Sequence, residues 1–371
     1  MLDLFFEFIR VAIGTGEKLS TIPTSDQWRK MYAMSVKQTI IGVCFNGIDV
    51  LVKNHSEQVV NLPRDIKMRW LGMSASIQHK NELLNHRCSQ LSALLLADGI
   101  RSCILKGQGV AILYKKELQL LRQSGDIDIW LDASRDAIID YVMKLAPTED
   151  FDQKHIQFHI FDDVDVEMHW VPVKRNSPKF DKLLGRYFES QKQLQFSDKE
   201  AVNYPTVDFQ LVHQLLHVYG HYLYEGVGLR QLMDLYFAQI ACVEKMPEKI
   251  DAVLALFKRL RIIKFVAGTQ WVLREVYANK ADVPDWLIYE PDENEGKKLM
   301  SEIVLGGNFG QFDSRNIVDN ESFAHRFWRR WGRKWKMWRY DFVGTLIMPI
   351  KRLKLELWMR VVRKKYNVEK E

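Results

Sequence analysis

Apolar residues recur at helical spacing from Arg64 to Ala97, and Asp98-Gly99 stops the run, glycine being favoured just past a helix end. Residues 1–98 as a whole have a mostly helical pattern, with Asp26 a candidate cap for a helix running toward Cys44. The period then shortens. Ile100–Leu105 and Asp126–Leu131 have the composition of strands, and between Ser134 and Ala146 a helix opens, ending at Pro147. His155–Phe161 and Val164–Trp170 both alternate around Asp162-Asp163, which predicts a β-hairpin. Residues 178–305 return to helix, with breaks near Pro205, Gly226-Val227-Gly228, Pro247 and Pro284, and no internal repeat or low-complexity tract is visible. The chain therefore has an α+β pattern, divided into a helical segment 1–98, a strand-bearing core 99–175, a second helical segment 176–305 and a tail 306–371.

Chemistry concentrates in the core. Side chains two apart on a strand share a face, so Asp126 and Asp128 project together just after Gly125. Paired carboxylates suit magnesium, because hard cations take oxygen ligands. Gly107 lies between a β-rich run and a helix, where free backbone N–H groups and the helix dipole favour phosphate. On the second arm of the hairpin Asp165, Glu167 and His169 share one face, and Val164, Val166 and Met168 the other. A third carboxylate from that arm would complete a site for two metal ions, one activating a hydroxyl and one holding a triphosphate. An Asp-x-Asp pair alone is also ordinary at a solvent-facing strand edge. The glycine turn, the pair and the acidic strand, in that order, carry the reading together.

These residues resemble a known family. Leu105-Lys106-Gly107, then Arg122, Gly125-Asp126-Ile127-Asp128, and Glu167-Met168-His169-Trp170 are similar to the motifs of an uncharacterised nucleotidyltransferase family in the polymerase-β-like superfamily. His217-Val218-Tyr219-Gly220-His221, Gly228-Leu229-Arg230 and Asp234 resemble its helical segment, and the likeness covers roughly residues 70–305. The resemblance implies a mixed β-sheet with flanking helices, and Asp126, Asp128 and Glu167 rather than Asp165 as ligands for two magnesium ions. The turn departs from the superfamily pattern, since Gln108 and Gly109 follow Gly107 where Gly-Gly or Gly-Ser is usual, and Lys115–Leu121 lengthens the gap to Asp126. Lys106 or Arg122 would then supply the cationic phosphate contact, although Lys106 also suits a solvated strand end.

His213, His217 and His221 form one row down a helix. Histidines four apart can share zinc, but the carboxylate of a zinc-protease motif is missing, so a polar helix face or a place on the cleft are the other readings. Arg230 and Asp234, four apart, suit an intrahelical ion pair or, with His169 and His217, a place at the cleft. The cysteines, Cys44, Cys88, Cys103 and Cys242, have no metal-binding spacing and suggest no disulfide framework, so a reducing cytoplasm is expected. The N-terminus MLDLFFEFIR lacks the basic start of a secretory signal, and no stretch of eighteen apolar residues exists.

The tail differs from the rest. Residues 326–365 hold fourteen Lys or Arg against Asp341 and Glu356, a net of +12 in a chain of +6, leaving −6 elsewhere. Trp328, Trp331, Trp335 and Trp338 fall on one helical face, and Ile350, Leu353, Leu357 and Val361 form a second stripe after Pro349. Such a segment suits the anionic inner face of a membrane, packing on the protein's own core or a partner, or nucleic acid. Two functions fit the whole: magnesium-dependent transfer of a nucleotidyl group from a nucleoside triphosphate to a sugar phosphate, lipid-linked glycan, protein or RNA, or a catalytically silent module of the same fold acting through its tail.

Overall fold

The computed structural model describes residues 1–175, 177–197, 200–279, 284–307, 338 and 342–368. It is α+β and rich in helix, with one small mixed sheet. Its residues cluster in two compact units: the described parts of 1–83, 110–124 and 214–319, and those of 84–109, 125–213 and 320–371. The boundary falls within helices α4 (Arg64–Ala97) and α8 (Val207–Tyr224).

The first unit is helical. It holds α1 (Leu2–Ile13), α2 (Ser25–Lys37), α3 (Ile41–Asn54) and the start of α4, followed later by α9 (Leu229–Lys245), α10 (Ile250–Arg259), α11 (Ile263–Tyr277) and α12 (Glu293–Gly306). Helix α1 is a core element: Phe5, Phe8 and Ile9 are fully buried, and Phe8 meets the ring edges of Trp28 at 5.4 Å and Trp70 at 5.7 Å. The cap of α2 is Thr24, not Asp26. Thr24 and Gln27 form a reciprocal capping box, which satisfies two otherwise orphaned backbone donors, and α2 ends at Lys37, before Cys44.

The second unit carries the sheet. Strands β1 (Ser102–Ile104), β2 (Ile127–Leu131), β3 (His155–Gln157) and β4 (Val166–His169) lie in the order β1-β2-β4-β3. The central pair β2–β4 is parallel and both outer pairs are antiparallel. The hairpin is shorter than its alternation predicts: Phe158–Phe161 leave the ladder after Phe158 donates to Val166 O, so a longer connection replaces a tight turn at Asp162-Asp163. Helix α5 (Gln108–Ala111) follows β1, α6 (Arg135–Leu145) follows β2 with Ser134 as its cap, and α7 (Pro178–Gln195) follows β4. One sheet face is apolar apart from Ser102, with Ile127, Ile129, Val166, Met168 and Ile156 at most 1% exposed. The other face is divided. At its Trp130 end the indole packs on Phe209 of α8 and on Phe188 and Phe196 in and after α7; at its Asp128 end it is polar.

The C-terminal helix α13 (Phe342–Tyr366) belongs to the same unit. Of the predicted tryptophan stripe, Trp328, Trp331 and Trp335 lie outside the described residues, while Trp338 packs against Phe342 at 4.5 Å. All four cysteines are buried free thiols. No described helix is long and apolar enough to cross a membrane.

Candidate active site

The parallel register of β2 and β4 sets Asp128 directly beside Glu167, and Trp130 beside His169. Alternation puts all four on one face, and antiparallel β3 adds His155 opposite His169 and Gln157 opposite Glu167. Asp126 precedes β2 by one residue. Ligand oxygens of Asp126, Asp128 and Glu167 lie within 4.8 Å of one another. The predicted carboxylates thus converge, and Glu167 rather than Asp165 joins the pair. Asp165 instead lines the neighbouring cleft, while its carbonyl accepts from the Ile127 N–H.

Four side chains hold this charge in place. Lys106 Nζ lies 2.6 Å from Asp128 Oδ1. His169 Nε2 lies 2.9 Å from the same oxygen and 3.3 Å from Glu167 Oε2. His155 Nδ1 is 3.1 Å from Glu167 Oε2, and Gln157 Nε2 donates to Glu167 Oε1 at 3.3 Å. Burial opposes the charge on Asp128, but Lys106 and His169 outweigh it and hold this carboxyl well below the usual carboxylate range. Glu167 is lowered too, burial again being overcome, here first by the His169 hydrogen bond. Burial also opposes the Lys106 ammonium, yet Asp128, Glu167 and Asp126 raise its pKa. His155 goes the other way, to about 4, through burial and the nearby His169.

The turn that positions Lys106 depends on two glycines. Gly107 has φ +56°, a left-handed conformation open to glycine, and a Cβ there would stand 3.3 Å from Asp126 O. A Cβ on Gly109 would fall 2.2 Å from Ile104 O, so the backbone itself occupies that space. The Leu105 N–H donates to Asp128 O and ties the turn to β2.

The donor set fits a hard divalent cation: three oxygen donors converge, and one of them, Asp126, is also a wall of a cleft of about 480 Å³. Asp126, Asp150, Phe151, Asp152, His155 and Asp165 are among its walls. Such an acidic lining attracts cations and repels bare anions. The set His155, Glu167 and His169 also converges, and offers nitrogen as well as oxygen.

Arg122, in the first unit, makes a buried bidentate ion pair with Asp234, Nε to Oδ1 and Nη2 to Oδ2 both at 2.7 Å, and Tyr114 donates to Oδ1 at 2.6 Å. The partner of Asp234 is therefore Arg122 and not Arg230, which donates to Gln123 O at 2.8 Å. His217 meets His221 Nε2 to Nε2 at 3.1 Å, and His221 contacts Glu225 at 2.7 Å. No converging set of three ligands forms around this histidine row among the described residues. Its first member, His213, belongs with the sheet and is buried; burial and the Lys106 charge lower its pKa to about 3. Gly125 is exposed.

Sequence reasoning missed two features, the Lys106–Asp128 ion pair and the part played by His155. The second had a signal, because pairing the hairpin in register sets His155 opposite His169. The first had none, since nothing local directs Lys106 across the sheet.

Comparison with known proteins agrees with this geometry. Residues 24–278, about two thirds of the chain, match the model of a family described as uncharacterised nucleotidyltransferase. Neither the curated proteins nor the solved structures give a match. Coverage on that scale, over the strands that bring Asp126, Asp128 and Glu167 together, makes the chain a member of the uncharacterised nucleotidyltransferase family.

Proposed function

We propose that the protein is a magnesium-dependent nucleotidyltransferase that moves a nucleoside monophosphate from a nucleoside triphosphate to an acceptor hydroxyl or phosphate. The convergence of Asp126, Asp128 and Glu167, with Asp126 also a wall of the cleft, carries this reading. In the reaction an acceptor oxygen forms a bond to the α-phosphorus, the bond to the bridging α–β oxygen breaks, and pyrophosphate leaves. Asp126, Asp128 and Glu167 would hold two magnesium ions. Bound there, the ions supply the charge that activates the acceptor oxygen and neutralises the triphosphate.

The protein's own groups do the rest. His169, fully buried, orients both Asp128 and Glu167 through Nε2. His155 and Gln157 hold Glu167 from the β3 side. Lys106, the cation nearest the carboxylates, balances their charge before metal enters, and then sits where a phosphate oxygen could take it. Gly107 keeps that turn low over Asp126.

The test is pyrophosphate release from each nucleoside triphosphate in the presence of magnesium and candidate acceptors. Release that Asp128→Asn abolishes supports transfer. A second reading, a catalytically silent module, draws on the 2.6 Å Lys106–Asp128 pair, which satisfies the carboxylate without any metal. Absence of release, together with absence of magnesium binding, would favour it.

A further inference from the structure

Helix α13 is built the wrong way round for a surface helix of a soluble protein, which buries its apolar stripe and exposes its charges. Its inner side makes polar and mixed contacts with its own unit. Lys351 Nζ reaches Asp181 at 2.7 Å, Arg363 donates to Glu149 O at 3.0 Å, and the Trp358 ring packs edge-on against Phe151 at 5.3 Å. Its outer side is apolar. Phe342, Leu346, Ile350, Leu353, Leu357 and Val361 follow one another at 4-4-3-4-4 spacing, each between 45% and 67% exposed. Single exposed leucines are ordinary, but a continuous stripe of six along one helix is an interaction surface.

Charge identifies what covers it. The helix carries Lys351, Arg352, Lys354, Arg360, Arg363, Lys364 and Lys365 against the one carboxylate of Glu356. Arg352 and Lys354 are exposed to either side of the stripe, and Arg360 and Lys364 are exposed within its C-terminal half. A second copy of this face would bring like charges together. Single-stranded nucleic acid would match the cations but, beyond Phe342, would find only aliphatic residues along the stripe where bases need successive aromatic platforms. An apolar stripe flanked and interrupted by long cationic side chains, whose charged ends can reach the headgroups while their stems lie along the apolar surface, matches a bilayer whose headgroups are negative. The 25-residue helix is about 37 Å long at 1.5 Å per residue, enough to lie along such a surface.

We propose that α13 docks flat on an anionic phospholipid bilayer, with Leu346, Ile350, Leu353, Leu357 and Val361 at the acyl boundary and the flanking cations among the headgroups. Phe151, which α13 holds through Trp358, is also a wall of the carboxylate cleft, so docking keeps that wall beside the membrane. The proposal stands without the nucleotidyl-transfer reading, because none of its residues belongs to the carboxylate centre.

The test is sedimentation of the full chain with phosphatidylcholine vesicles, with and without phosphatidylglycerol. The chain should bind the phosphatidylglycerol vesicles and not the neutral ones. Leu353→Gln with Leu357→Gln, outward-facing and so expected to leave the melting temperature unchanged, should weaken binding about a hundredfold. Lys354→Gln, Arg360→Gln and Lys364→Gln together should weaken it at least about tenfold, and this second variant decides the matter if the first fails to fold. Asp126→Asn with Asp128→Asn should bind vesicles like the unaltered chain, separating a failed catalytic reading from a failed membrane one. Equal binding to neutral vesicles, binding indifferent to both tail variants, or no vesicle binding by a chain that instead dimerises or retains RNA through this stripe would overturn the proposal.

Discussion

The Nζ of Lys106 lies 2.6 Å from Oδ1 of Asp128, so the innermost carboxylate of the candidate centre has its own cation. Removing one partner of a buried pair typically costs about 3–5 kcal/mol, because the other charge is left uncompensated. We expect Lys106→Met to lower stability by an amount of that order without metal, and magnesium to restore part of it by taking over the role of the ammonium. Thermal melts with and without magnesium check this. A variant that magnesium cannot rescue would speak against cation binding at Asp128.

His213 gives the fold an acid dependence. Its pKa falls from the ordinary 6.5 to about 3 in the folded protein, by burial and the Lys106 charge. Below about pH 6.5 the unfolded chain takes up a proton that the folded chain refuses until about pH 3. Stability contributed by the neutral ring is therefore complete above that window and declines as pH falls through it, at up to about 1.4 kcal/mol per pH unit. His213→Gln should flatten the slope between pH 6.5 and 4. An unchanged slope in urea titrations would place the acid dependence elsewhere.

Arg122 has a structural reading and a phosphate reading that one substitution separates. If its partner is Asp234, as the two 2.7 Å contacts show, Arg122→Ala should cost about 3–5 kcal/mol of stability. Asp234→Asn should be costly too, and the double variant should cost much less than the sum of the two. Wild-type stability with lost nucleotide affinity would instead assign Arg122 to the substrate.

The two glycines of the Lys106 turn should differ in tolerance. Gly107→Ala meets strain of about 1–2 kcal/mol from its left-handed backbone, whereas Gly109→Ala drives a methyl group into Ile104 O. Gly109→Ala should therefore be the more destabilising in denaturant unfolding. The reverse order would mean that the turn is not packed against β1 as described.

The parts of the site that the sequence made legible are those governed by strand periodicity. Asp126 and Asp128, with Glu167 and His169, follow from a period of two, and the family resemblance chose Glu167 over Asp165. Helix limits were readable at Ala97 and Ser134, where glycine and serine act locally. Thr24 displaced Asp26 as a cap because Gln27 could return its hydrogen bond, a detail of geometry rather than composition. Contacts made across the fold were not readable. Arg122 finds Asp234 more than a hundred residues away, and Lys106 crosses to Asp128 on another strand. The stripe of α13 was visible as a pattern, but a helical wheel does not say which side faces the body; Lys351, Trp358 and Arg363 decide that through partners on other elements.

The central claim is that Asp126, Asp128 and Glu167 bind divalent metal together with a nucleotide. Calorimetric titration of the full chain with each nucleoside triphosphate, with and without magnesium, tests it most directly. We expect saturable binding of at least one triphosphate that requires magnesium and that falls at least about tenfold in Asp126→Asn with Asp128→Asn, as the oxygen anions a hard cation needs are removed. Triphosphate binding that is indifferent to magnesium, or unchanged in that double variant, would contradict the account.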